Sequence, residues 1–74
     1  MLSVVIADDE QLARDELAYL LRQFPGVEIV GQAANGLEAF DLIEAEEPDA
    51  AFLDVQMPGL DGLGVIRKLM ARDT

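Results

Sequence analysis

The chain has no cysteine. Neither a disulfide framework nor a thiolate metal site can therefore staple it. It has no histidine either, so hydrolase chemistry built on an imidazole general base is excluded. Aromatic side chains stop at Tyr19, Phe24, Phe40 and Phe52, and the core must be mainly aliphatic. Basic residues are scarce: Arg14, Arg22, Arg67, Lys68 and Arg72, against fifteen acids. Five scattered bases do not make the basic face that phosphate contacts need, so this segment is not expected to bind nucleic acid or an anionic membrane surface. No apolar run approaches the roughly 20 residues that cross a bilayer. No charged leader precedes an apolar core, so a secretory signal is not expected and a cytoplasmic location is.

What is present is apolar and acidic. Hydrophobic residues make up 51% of 74, which is ample for one small domain but leaves it marginal alone. The formal net charge of −10 suits a chain that holds a divalent cation or meets a basic partner patch. Most of that charge, including Glu44, Glu46 and Glu47, reads as solvated surface.

Three strand-then-helix units follow one another. Ser3 to Ala7 is a β-branched run and the first strand. Ala13, Leu17, Leu20, Leu21 and Phe24 recur at helical spacing, which predicts an amphipathic helix over about 10–24, stopped by Pro25-Gly26. Val27 to Ala33 reads as a second, edge strand, with Val27, Ile29 and Gly31 on one face and Glu28, Val30 and Gln32 on the other. Asn35 with Glu38 three residues on reads as a capping box. The helix it opens runs to about Glu46, burying Leu37, Phe40 and Ile43, and Pro48 ends it. Ala50 to Leu53 is the third strand. Asp61 can cap a last helix with an apolar stripe at Leu63, Ile66, Leu69 and Met70.

This β-α-β-α-β-α alternation implies a parallel sheet with right-handed helical crossovers. The first and third strands are nearly continuously apolar and read as central. The strand order is then 2-1-3. Ligands of open α/β sheets sit outside the carboxyl ends of strands, where the connections diverge. Here that point carries Asp8 and Asp9 after strand one and Asp54 after strand three. Three carboxylates so close repel one another unless a cation joins them or a proton neutralises one. Magnesium takes octahedral oxygen coordination, keeps several waters and often accepts one or two carboxylates plus phosphate oxygens. A metal there would keep Asp54 ionised beside a phosphoryl group, and Asp54 could attack phosphorus to give an aspartyl phosphate.

These residues resemble the N-terminal part of a response-regulator receiver domain, the phosphoacceptor of two-component signalling. Asp8-Asp9-Glu10 matches the acidic pair. Asp54, followed by Met57-Pro58-Gly59-Leu60-Asp61-Gly62, matches the phosphoacceptor and its loop. The Asn35-Gly36 turn also fits, and the likeness runs through all 74 residues. Leu12-Ala13-Arg14 with Gln56-Met57-Pro58-Gly59 more loosely resembles the LytR/AlgR-type transcriptional regulators, in which a DNA-binding output domain follows the receiver. The resemblance implies a flavodoxin-like fold, here a truncated (βα)3 unit. It implies Asp54 as the site of phosphorylation and a phosphohistidine on a sensor histidine kinase as donor. Asp9 and Asp54 would ligate Mg2+, Asp8 would act through water, and the backbone carbonyl of Gln56 would be a further ligand.

The departures from the family pattern carry expectations too. A complete receiver has two more βα units, so residues 1–74 are expected to form a partial receiver domain. The family's Ser or Thr after strand four and its Lys after strand five are missing. Thr74 lies before the expected fourth strand, and Lys68 on the last helix is a poor stand-in. Weaker charge compensation should slow phosphotransfer. Strand three would be left as a bare edge, which invites a homodimer or a swapped assembly. Two other readings compete. An aspartate-nucleophile phosphatase typically carries a second Asp two residues after the nucleophile, but Gln56 stands there and cannot transfer protons. A non-phosphorylated self-association module is the other.

Overall fold

A computed structural model describes residues 1–72; Thr74 lies outside them. The elements are β1 (Leu2–Ala7), α1 (Gln11–Leu21), β2 (Val27–Ala33), α2 (Gly36–Glu46), β3 (Ala50–Leu53) and α3 (Gly62–Arg72). The strands form one parallel sheet in the order β2-β1-β3. This is the expected flavodoxin-like (βα)3 arrangement. No helix among the described residues is long and apolar enough to cross a membrane.

β1 is central, and both of its faces are covered. Val4, Val5, Ile6 and Ala7 are at most 2% exposed. Ala7 packs with Ala33, Ala39, Met57 and Val65, joined by Phe40, Leu53 and Leu69, so this face carries α2 and α3. Ile6 and Phe52 lie across the sheet, where Ala13 and Leu17 of α1 help line an open hollow of about 210 Å³. β2 and β3 are the two edges of the sheet, and β3 has Ala51 exposed and Phe52 42% exposed.

Four details differ from the sequence reading. First, α1 spans residues 11–21 and not 10–24. Gln23 and Phe24 bond to carbonyls three residues back, Leu20 and Leu21, and this tighter geometry ends the helix. Leu20 and Phe24 are left 52% and 60% exposed.

Second, the alternation of β2 breaks after Ile29. Val4 pairs with Ile29 but Val5 with Gly31, so Val30 is an extra residue in the ladder. A methyl group on Gly31 would meet the Leu42 side chain at 2.9 Å; the bare backbone lets α2 sit close.

Third, α2 does begin at the capped Asn35. Its Oδ1 accepts from the Glu38 N–H at 2.9 Å, and Glu38 Oε1 accepts in return from Ala34 N–H at 2.9 Å. Yet Leu37 is 59% exposed. Phe40 and Ile43 pack against the core as expected, but the fully buried row is Gly36 and Ala39, where Gly36 abuts the Leu60 carbonyl so closely that no Cβ would fit.

Fourth, α3 is capped by Asp61, whose Oδ1 accepts from Gly64 N–H at 2.8 Å. Gly62 packs against the Asp54 carbonyl, and this contact sets the rotation of the helix. Gly62 and Val65 are buried and Leu69 is half-buried, while Leu63, Ile66 and Met70 of the expected stripe are 45–66% exposed.

Candidate functional site

The sheet ladder continues one step past the strands. Asp8 N–H donates to the Ala33 carbonyl at 3.1 Å, and Asp54 N–H donates to the Ala7 carbonyl at 2.9 Å. The two strand ends are thereby held side by side, and their acids converge. One carboxylate oxygen from each of Asp8, Asp9 and Asp54 lies within 4.8 Å of the others. Asp8 and Asp54 are half-buried and Asp9 is exposed.

Local hydrogen bonds orient two of the three acids. Asp8 Oδ1 accepts from Glu10 N–H at 2.9 Å, and Asp54 Oδ1 accepts from Gln56 N–H at 3.3 Å. Such turns are a common use of Asp after a strand. Each carboxylate retains a second oxygen. The donor set is all oxygen and anionic, which fits a hard divalent cation. Beside it opens a hollow of about 490 Å³, lined by Asp9, Glu10, Asp54, Gln56, Met57 and Asp61 among others. An open, acidic hollow of this size admits a phosphoryl group only if positive charge accompanies it.

The loop between β3 and α3 is fixed at several points. Met57 is 8% exposed and sits in the core against Ala7, Ala33 and Val65. Gly59 turns the chain with φ of 79°, a conformation glycine adopts without steric cost. The two close glycine contacts, Gly36 on the Leu60 carbonyl and Gly62 on the Asp54 carbonyl, hold its far end. Gln56 is thereby kept at the rim of the hollow.

One contact at this site had no signal in the apolar periodicity. Arg14 lies off the apolar stripe read from the sequence, yet it is half-buried one turn before the buried Ala18, and its Nη1 donates to the Asp8 carbonyl at 2.6 Å. Lys68 is engaged elsewhere, its Nζ lying 4.9 Å from the centre of the Phe40 ring.

The response regulator receiver domain family matches residues 4–74. The chain is 47% identical over 73 residues to the positive alginate biosynthesis regulatory protein of Pseudomonas aeruginosa, covering 97% of this chain and 29% of that protein. It resembles the signal receiver domain of NarL from Mycobacterium tuberculosis at a TM-score of 0.94 and 38% identity, covering 97% of this chain and 58% of that one. It also resembles CheY of Borrelia burgdorferi, solved with CheX, BeF3 and Mg2+, at a TM-score of 0.85 and 28% identity, covering 97% and 55%. The chain thus spans less than a third of the curated relative and little more than half of these solved chains.

Proposed function

Because the chain belongs to the response regulator receiver domain family, we propose that Asp54 accepts a phosphoryl group while Asp8, Asp9 and Asp54 hold Mg2+. The observation that carries this reading is the convergence of those three carboxylates within 4.8 Å. The CheY relative described with BeF3 and Mg2+ supports the same cation here. The donor is a phosphohistidine on a sensor histidine kinase. The domain signals and does not turn over substrate as an enzyme does.

Bound magnesium supplies the positive charge that neutralises the acids and the incoming phosphoryl oxygens. Asp9 and Asp54 offer direct carboxylate ligands. By the family resemblance, Asp8 would act through water. The backbone carbonyl of Gln56 is a further ligand. The Asp54 oxygen forms the new bond to phosphorus as the donor's phosphorus–nitrogen bond breaks. The imidazole leaves with the electron pair and takes up a proton.

Residues 1–74 form the metal-and-acceptor part of the receiver, and the hydroxyl and lysine that grip the phosphoryl group belong to further βα units. We read the whole protein as a cytoplasmic regulator whose output acts on transcription, in keeping with the 45% identical transcriptional regulatory protein BtsR of Salmonella typhi. On its own, the 74-residue chain pairs with a second copy through the open edge of β3, where Phe52 is exposed. Light scattering tests that pairing: a dimer is expected, and a stable folded monomer contradicts it. Calorimetric titration with Mg2+ tests the metal site. Binding to the natural chain and at least tenfold weaker binding to Asp9→Asn are expected. No binding, or equal binding by both, contradicts the reading.

A further inference from the structure

We propose that Arg14 is a positioning residue for the metal ligands, holding the Asp8-Asp9-Glu10 turn in the shape that aims its acids at Asp54. The proposal rests on the magnesium reading of this site. The Arg14 guanidinium donates to the Asp8 carbonyl at 2.6 Å, while its backbone N–H makes the first ordinary bond of α1, to the Glu10 carbonyl at 3.1 Å. Asp9 lies between these two carbonyls, on an exposed corner. The guanidinium bond is charge-assisted and part-buried, so it is stronger than a neutral bond at the surface. It reaches from one turn inside α1 back to the end of β1. It therefore spans the three residues whose conformation decides where the Asp8 and Asp9 carboxylates point.

Charge and geometry predict opposite signs here, and that makes the role testable. Arg14 is a cation beside a cation site, so by field alone its removal tightens Mg2+ binding. If Arg14 acts by shaping the turn, its removal weakens binding, as loss of an outer-shell partner typically does by about 10- to 100-fold.

The experiment measures Mg2+ affinity by calorimetry in the natural chain, Arg14→Gln and Arg14→Lys, with circular dichroism to show that each is folded. Hydrogen exchange of the Glu10 amide is followed without metal. The expected result is about tenfold weaker binding by Arg14→Gln, substantial recovery by Arg14→Lys, and faster Glu10 exchange in Arg14→Gln. Unchanged or tighter binding by a folded Arg14→Gln overturns the proposal. If the natural chain binds no Mg2+, the metal reading fails on that result. Exchange at Glu10 then decides the tether separately: faster in Arg14→Gln supports it, unchanged overturns it.

Discussion

The backbone N–H of Asp54 donates to the carbonyl of Ala7 at 2.9 Å. The proposed phosphoacceptor is thus fastened to the strand that delivers Asp8 and Asp9. The site is held by sheet hydrogen bonds as well as by the packed loop after β3. Its three carboxylates lie within 4.8 Å of one another, and like charges so close repel.

Repulsion has a sign that can be measured. In metal-free buffer, Asp9→Asn should raise stability by a few tenths of a kcal/mol, the scale expected for exposed charges. Added Mg2+ should raise the melting temperature of the natural chain by mass action and leave Asp9→Asn nearly unmoved. Thermal melts with and without Mg2+ check both effects. A variant that loses stability without metal contradicts the idea of a repulsive cluster.

The glycine contacts give a second prediction. A methyl group at position 36 would run into the Leu60 carbonyl, and one at 62 into the Asp54 carbonyl. Gly36→Ala and Gly62→Ala should each cost about 1–3 kcal/mol or more in urea denaturation. Gly26→Ala meets nothing within 4 Å and should be close to neutral. Equal behaviour of all three would remove the case for a clamped loop.

A third prediction concerns pH. The Asp49 carboxylate accepts from the Ser3 backbone N–H at 2.8 Å and from Ser3 Oγ at 3.1 Å. These bonds, the backbone one foremost, hold its carboxyl below the ordinary value. A folded-state pKa below the unfolded one means that the contribution is present above the unfolded pKa. It is lost as pH falls through the folded value. Asp49→Asn should therefore melt below the natural chain at neutral pH, and the gap should narrow as acid is added. A gap that widens in acid contradicts this.

Glu47 offers a stabilising change. It closes α2 in the left-handed region, with φ of 45° and ψ of 57°. That conformation costs a side-chain-bearing residue roughly 1–2 kcal/mol, and glycine is the usual occupant after a helix. Glu47→Gly should raise stability by up to about 1 kcal/mol in the same urea titration, where no change or a loss would count against the strain.

Much of this architecture was legible in the residues. Strand order followed from two apolar runs flanking a mixed one, and the converging acids followed from that order. Asn35 and Asp61 were read as helix caps because capping is a local matter of side chain to nearby N–H. Phe40, Ile43 and Leu69 pack against the core as read, but the full rotation of α2 and α3 was not legible. Hydrophobicity placed Leu37, Leu63, Ile66 and Met70 inside, but backbone packing at Gly36 and Gly62 turned those helices. Periodicity counts side chains and cannot see a glycine pressed against a carbonyl. Arg14 escaped for a related reason: a polar residue off the stripe reads as solvent-facing, and its hydrogen bond to a backbone carbonyl leaves no pattern.

The central claim is that Asp54 takes a phosphoryl group with Mg2+ held by its neighbours. Intact-mass measurement after incubation with Mg2+ and a small phosphodonor tests it most directly, with Asp54→Asn and a chelator as controls and a form carrying two further βα units beside the 74-residue chain. The account predicts a gain of one phosphoryl group in the extended form, slower or smaller in the 74-residue chain, and none in Asp54→Asn or without metal. No gain in either form, or equal gain in Asp54→Asn, would contradict it.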